Sequence, residues 1–495
     1  MSEKMTSTTS DPTERETDEA LKRARVTAIV LAATMFMVGI DSTTLVTALP
    51  RMSQDFDVPV TTLSATITLY IMVSATMLPV SSWIGQRFGS RRVFTIAIVG
   101  FMFSSMAAGL SPNLPAFLAA RVSQAAFASL MVPVGNIVLL TITPRSYLVT
   151  AMTISSTPAL IAPVLGPPLG GFITTFLNWH WVFFLNVPTA ALALVAALRF
   201  IPNIRATERT PFDFRGFALT ASFLCALIAG LDRLSHAGPS REIGGLLLAA
   251  AMALGWLAWR HARNAPHPIV PLTPLRYPCF FISTIGAGTA VRVAFMGLGF
   301  TLPLMLQIGL GLSPFQAGLL LLAQNGGDLV LKSIANRTLR AIGFRTALVS
   351  GSLLIGASMV ACAFLQPGMS FPLLCVIMVG VGMARSVHMT AMMALRFADM
   401  PQSEVGGATV LGNLVNSLSQ AFSISGVAAL LSLLSAGTDT PSMAHFRITM
   451  LVLAGFALLA APLFARLDRD AGAELTGRTR RGLRDMGLSA EDDAT

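Results

Sequence analysis

38-VGIDSTTLVTALP-50 closes an apolar run that opens at Val26, and it carries one carboxylate, Asp41. Val26 to Val38 before it and Leu45 to Leu49 after it are continuous with a single helix rising ~1.5 Å per residue, so Asp41 lies inside a membrane span and not at its end. A charge at the bilayer centre costs ~2.5–3.5 kcal/mol on insertion scales, and intramembrane acids are by default functional. The rest of the chain must therefore supply this acid with a partner and a task.

Composition points the same way. Of 495 residues, 54% are hydrophobic and 12% charged, against about 25% charged in soluble domains. The fold class expected is an all-α polytopic membrane protein. A net charge of +10 would suggest nucleic acid if it sat on one soluble domain, but it falls in short loops between apolar runs, which excludes that partner. Cys225, Cys279, Cys362 and Cys375 lie in or beside apolar segments without metal-ligand spacing, so no metal is expected. The first run is too long for a signal-peptide core and lacks a small-x-small cleavage site, and it is expected to be retained. No nucleophile-base pair or phosphate loop suggests an enzyme.

Fourteen apolar segments follow one another: 26–49, 61–84, 93–111, 115–141, 147–175, 180–201, 215–234, 242–262, 279–309, 314–335, 344–365, 369–396, 403–434 and 443–465. Each can cover the ~30 Å hydrocarbon core as a helix. With the N-terminus in the cytoplasm, four of the 34 Lys and Arg fall in external loops (Arg51, Arg233, Arg241, Arg447) and three in spans (Arg121, Arg292, Arg385); the remaining 27 are cytoplasmic. This satisfies the positive-inside rule and predicts that both termini are cytoplasmic. The loops 85-GQRFGSRRV-93 and 336-NRTLRAIGFR-345 each carry a Gly flanked by Arg before an apolar run. Aligning them pairs spans 1–6 with spans 9–14 and leaves two over. The predicted organisation is a disordered tail at 1–25, a six-helix bundle at 26–201, an inserted helix pair at 202–278, a second six-helix bundle at 279–465 and a cytoplasmic tail at 466–495, with the substrate site near the midplane where the repeats meet.

The segments 40-IDSTTLVTALP-50, 121-RVSQ-124, 162-APVLGPPLGG-171, 179-WHWVFFLNVP-188 and 311-GLSPFQAGLLL-321 resemble, in order and across nearly the whole chain, the fourteen-span drug:proton antiporters of the major facilitator superfamily, the EmrB/QacA-type group. The resemblance implies the major facilitator fold with 14 transmembrane helices arranged 6+2+6. It assigns proton coupling to Asp41 and proton transfer to Arg121 of the R-x-x-Q pattern. Low dielectric raises an acid's pKa towards neutrality, which suits a proton carrier; a structural ion pair is the alternative. Arg121 lies ~9 Å below the outer end of span 4 and Asp41 ~13 Å below Pro50, so their depths agree. Ala125 and Phe127 stand where the family has Gly, which puts close helix packing there in question. Gly166, Pro167, Pro168, Gly170 and Gly171 match the antiporter motif, a hinge and seal in which the prolines remove backbone donors and the glycines admit neighbouring helices. In 82-SWIGQRFGSRR-92 the residues Gln86, Arg87, Gly89, Arg91 and Arg92 match the cytoplasmic gating loop, although Ser82 replaces a Gly and Gln86 an Asp; plain positive-inside anchoring explains the arginines equally.

Other charges are candidates for a cavity in the C-terminal half: Arg292, Asp328, Lys332, Arg385 and His388. Asp328 and Lys332, four apart, are expected to neutralise each other. Arg385 and His388, three apart, would make a basic pair favouring anionic or zwitterionic solutes. His180 is expected at the external interface with Trp179 and Trp181 as an aromatic belt. The 25 Met and 30 Phe suit an adaptable apolar surface, or simply core and lipid-facing positions. The function expected is export of small, lipophilic drugs or metabolites driven by proton entry, with no cofactor beyond the proton. The expected partners are substrate, protons and the bilayer of the inner membrane, with the chain acting as a monomer. A uniporter or symporter for a polar or anionic solute, and a non-transporting scaffold or receptor, are the alternatives; the second leaves Asp41, Arg121 and Arg292 without a purpose.

Overall fold

The computed structural model describes residues 12–144, 147–202, 212–234, 239–266, 268–401, 404–435, 440–468 and 471–472. The helices run α1 (Pro12–Asp55), α2 (Ser64–Phe88), α3 (Ser90–Gly109), α4 (Leu114–Ile142) and α5 (Leu148–Phe176). They continue through α6 (Trp181–Phe184), α7 (Asn186–Phe200), α8 (Phe214–Leu234), α9 (Pro239–Asn264), α10 (Pro278–Thr284) and α11 (Ala287–Leu304). The last are α12 (Pro314–Lys332), α13 (Ala335–Ile342), α14 (Phe344–Ala363), α15 (Phe371–Leu395), α16 (Val405–Leu434) and α17 (Met443–Phe464). Helix α1 reaches back to Pro12, so residues 12–25 extend the first helix instead of belonging to a disordered tail. Residues 1–11 and 473–495 lie outside the described residues.

Among the described residues, 12 helical segments are long and apolar enough to cross a membrane. Two of the expected fourteen, α2 and α12, fall outside that set. The apolar part of α2 that is described without interruption, Ser64–Leu78, is shorter than a span, and α12 carries Gln324, Asn325, Asp328 and Lys332. Several of these polar side chains face other helices, which hydropathy alone does not register. The chain is a multi-pass helical membrane protein.

Packing reproduces the internal repeat. In the first half α1 packs on α5 and α7, α4 on α2 and α3, and α3 on α7; in the second, α11 packs on α16 and α17, α15 on α12 and α14, and α14 on α17. Across the middle α5 meets α12 and α2 meets α16, two pairs that the repeat interchanges. Helices α8 and α9 pack on each other, with α8 also touching α2 and α16. The two repeat loops share a backbone device: Gly89 (φ 97°) and Gly343 (φ 80°) both take a left-handed turn immediately before a helix, a conformation that glycine adopts without a Cβ penalty.

Two polar clasps fix the ends of the helices. On the external side, by the orientation inferred from charge, Trp179 Nε1 donates to Asp55 Oδ2 at 2.7 Å and stacks on His180 at 3.7 Å. Trp179 is thus buried and only Trp181 is exposed, so the expected Trp–His–Trp belt reduces to Trp181. Trp179→Phe is expected to remove one charge-assisted bond and to lower the unfolding temperature by a few degrees, consistent with ~1.5–3 kcal/mol for such bonds, with transport retained; thermal unfolding in detergent checks it. At the other end Asp213 accepts from Gly216 N at 2.9 Å and meets His261 Nε2 at 2.8 Å, tying α8 to α9. Burial opposes ionisation of Asp213, but the Gly216 and His261 hydrogen bonds outweigh it and hold its pKa below the ordinary carboxylate value. A lowered acid pKa stabilises above the ordinary value and that contribution fades as pH falls through the lowered one. The stability difference between wild type and Asp213→Asn should therefore be present at neutral pH and shrink below about pH 4, which melting curves at several pH values test.

Candidate functional site

Asp41 is fully buried on α1, and four donors from three other helices converge on or around it. Arg121 on α4 reaches Oδ2 at 2.7 Å through a terminal nitrogen. Gln124, one turn further along α4, donates to Oδ1 at 2.9 Å, and Asn186 at the start of α7 donates to the same oxygen at 2.8 Å. Ser105 on α3 lies behind them, accepting from Gln124 at 3.2 Å and from Asn186 at 3.0 Å while donating to the Phe183 carbonyl at 3.0 Å. Gln124 Oε1 in turn accepts from Arg121 at 2.5 Å. Each charge of this buried pair has its partner, and removal of either leaves the other stranded.

Arg121, although buried, is the member of this cluster that borders the central cavity. Arg121 and Tyr70 line a cavity of ≈ 520 Å³ between the two halves, walled by α1, α2, α4, α5, α11, α12, α15 and α16. The Tyr70 ring lies 4.5 Å from the Arg121 guanidinium, in reach of a cation–π contact. Neither Arg121 Nε nor the Tyr70 hydroxyl has a protein partner. Protonation of Asp41 would weaken its hold on Arg121, which has Tyr70 and Gln124 to keep it in place.

The glycines expected to admit close helices do so. A Cβ on Gly170 would lie 2.5 Å from Thr47 Oγ1 and 2.7 Å from the Thr44 carbonyl, and one on Gly166 would overlap Thr43, so both serve the α1/α5 contact. Gly171 faces the Pro314 backbone, and Gly318 of α12 faces the Pro167 carbonyl at 2.5 Å, so the motif also packs the two halves together. Pro158, Pro163, Pro167 and Pro168 all lie inside one continuous helix. The departures at Ala125 and Phe127 are compensated: Ala125 is buried, and Phe127 packs over Gly100 of α3, where a side chain would collide with its ring.

The C-terminal charges are arranged differently from the expectation. Asp328 pairs with Arg385 at 2.7 Å and not with Lys332, which is exposed in the last turn of α12. Arg385 reaches the central cavity, 4.4 Å from the Phe295 ring. His388 does not join it: three residues rotate it about 60° around the helix, into full burial with Nδ1 donating to the Leu348 carbonyl at 3.1 Å and its ring against Phe464. The expected basic pair is therefore absent. Arg292 is buried too, bonded to the carbonyls of Ser283 and Thr284 that α10 exposes where it breaks from α11. It caps a helix end and is not a cavity charge. In the loop after α2, Arg87 and Arg92 are exposed, Arg87 5.4 Å from the Trp83 ring, and Arg91 bonds the Leu198 carbonyl in the last turn of α7. Gln86 is half-buried. Among the described residues no acidic side chain meets these arginines at salt-bridge distance, so the charged form of the gate has no counterpart here.

Asn186, Ser105 and Tyr70 were not singled out from the sequence. Asn186 carried the same signal as Asp41, a polar side chain in an apolar run; Ser105 and Tyr70 are unremarkable in sequence and become site residues only by packing.

The sequence pattern of the Major Facilitator Superfamily matches residues 31–423 and, in a second match, 278–487. This chain belongs to the major facilitator superfamily. It is a membrane transporter and not an enzyme. A protein of Citrobacter koseri, named MdtD and provisionally assigned to multidrug resistance, is 32% identical over 448 residues, covering 89% of this chain and 94% of its own. The MdtD protein of Salmonella paratyphi A is 31% identical with the same coverage. The fold is shared with a POT family transporter solved with 5-aminolevulinic acid (TM-score 0.66, 14% identity, 89% of this chain and 95% of that one). It is also shared with a D-xylose–proton symporter (TM-score 0.61, 15% identity, 91% and 98%).

Proposed function

We propose that this chain exports small amphipathic molecules, drugs or metabolites, in exchange for protons by alternating access, as a fourteen-span antiporter of the EmrB/QacA type. The observation that carries this is the Asp41 cluster: a fully buried acid whose cationic partner Arg121 lines the central cavity, so that proton and substrate act on one guanidinium from opposite sides. The mostly apolar wall, with Phe295, Met296 and Phe300 among its residues, suits lipophilic cargo, and the relatives named for multidrug resistance agree in kind. In this reading α2 and α12 complete the set of fourteen spans, the chain works as a monomer in the inner membrane, and its basic loops place both termini in the cytoplasm.

Efflux of a fluorescent amphipathic dye from cells making the protein should stop when an uncoupler collapses the proton gradient. Efflux that continues unchanged would favour a uniporter. The Asp328–Arg385 pair contributes to the cavity wall in this reading and leaves proton coupling to Asp41. Asp328→Asn is accordingly expected to change substrate KM about threefold to tenfold, the range of one net hydrogen bond, with the pH dependence of transport retained. Loss of that pH dependence would move the coupling acid to the C-terminal half.

A further inference from the structure

Proline has no N–H, so a proline inside a helix leaves the carbonyl four residues before it without its donor. Pro167 stands inside α5, and the carbonyl it frees is that of Pro163. Asn325 Nδ2 of α12 donates to that oxygen at 2.7 Å. The bond crosses from one half of the molecule to the other. The same amide accepts, through Oδ1, from Arg385 at 3.3 Å, and Arg385 holds Asp328 at 2.7 Å on the cavity wall.

The approach that makes this bond possible is itself built in. Pro314, Gly318 and Asn325 lie on one face of α12, four and seven residues apart, and meet α5 in descending order. The Phe315 N–H donates to Thr175 Oγ1 at 3.1 Å, Gly171 faces Pro314, Gly318 faces Pro167 and Pro168, and Asn325 reaches Pro163. With any side chain at 318 or 171 the backbones would separate, and a short amide at 325 would no longer span the gap. A half-buried carbonyl left unsatisfied in a helix interior is unfavourable, so the closed seam is where this carbonyl finds its partner.

We propose that Asn325 is the positioning residue of the seam between α5 and α12: it supplies the donor that Pro167 removes, favours the closed seam by doing so, and ties seam closure to the placement of Arg385 in the cavity. Opening the seam withdraws Asn325 from Pro163 and leaves its amide free to turn away from Arg385, which Asp328 and the Phe295 ring still hold. This rests on the alternating-access part of the function proposed above.

The test uses the full chain in proteoliposomes, with the native cysteines replaced and spin labels at Leu177→Cys and Leu310→Cys to read the open and closed seam distances without proton gradient or substrate. Because neither is needed, the outcome stands apart from whether protons drive export. Asn325→Ala is expected to raise the open-to-closed ratio about threefold to tenfold, the range of one net hydrogen bond. Pro167→Ala returns an N–H that reclaims the Pro163 carbonyl within α5, and should shift the ratio in the same direction. The double variant should match a single one, since both remove one bond. Asn325→Asp keeps an acceptor for Arg385 but offers no donor to Pro163, and should open the seam as Asn325→Ala does. If Pro167→Ala does not assemble, the Asn325 pair decides alone: a seam that stays closed in Asn325→Asp overturns the proposal. Additive effects of Asn325→Ala and Pro167→Ala also overturn it.

Discussion

Asp41→Asn is expected to reduce proton-driven export to background while the protein still inserts, purifies as a single species and exchanges substrate down a gradient. Asparagine keeps the shape of the side chain and an oxygen for Asn186, Gln124 or Arg121 but loses the charge and the titration. The stranded Arg121 is the risk. Breaking a buried pair by removing one partner costs about 3–5 kcal/mol, a large share of a domain's stability. Here the guanidinium, itself buried, retains Gln124 at 2.5 Å and the Tyr70 ring at 4.5 Å, which lessen the penalty. The variant should therefore be less stable but folded. Reconstitution into liposomes with an imposed pH gradient separates the two effects, since counterflow of labelled substrate reports a folded carrier and gradient-driven accumulation reports coupling. Wild-type accumulation by Asp41→Asn would remove Asp41 from the coupling role.

Gly170→Leu is expected to have an equally large effect by a different route, loss of assembly. At this position even a methyl group would lie 2.5 Å from Thr47 Oγ1, 2.7 Å from the Thr44 carbonyl and 2.8 Å from Thr44 Cα. Two of those atoms are backbone, so no rotamer change relieves the overlap and α1 must move away from α5. Overpacking of this kind costs about 1–3 kcal/mol in cores that can adjust, and more where they cannot. Because α1 also carries Asp41, the displacement pulls the carboxylate away from Arg121, Gln124 and Asn186 together. Little folded protein should reach the membrane, and what does should lack coupled transport. Gly326→Ala is the control: its Cβ meets nothing within 4 Å, and expression and transport should match wild type. Equal yields of the Gly170 and Gly326 variants in fluorescence-detected size exclusion would show that the α1/α5 contact is not the constraint.

How much of this was legible beforehand depended on whether a residue's signal was local. Asp41 and Arg121 stood out because each is a charge in an apolar run, and matching depths along two helices were enough to pair them. Gly166, Gly170 and Gly171 were visible as a motif, but not that the first two serve α1 and the third α12. Asp328 was matched with Lys332 on helical spacing, whereas α15 presents Arg385 at 2.7 Å; a neighbour on the same helix is visible in sequence and one on another helix is not. His388 and Arg292 failed in the same way: their burial and carbonyl partners are set by α14 and by the break between α10 and α11. Helix α12, which Gln324, Asn325 and Asp328 make one of the more polar of the expected spans, faces α5 of the opposite half of the molecule, where polar residues are sheltered from lipid.

By itself, then, the sequence determined that this is an all-helical, multi-pass membrane protein with an internal repeat, and that an acid on its first span and an arginine on its fourth needed one another. Those conclusions follow from hydropathy, helical rise and the cost of an unpaired charge in lipid, all of which act along the chain. The tertiary structure alone decided which donors complete the Asp41 cluster, that the cavity sees Arg121 and Tyr70 in place of the carboxylate, and that Asn325 answers the carbonyl left free by Pro167. Those are contacts between helices distant in sequence, and only the packing of small residues at α1, α5 and α12 brings them within hydrogen-bond reach.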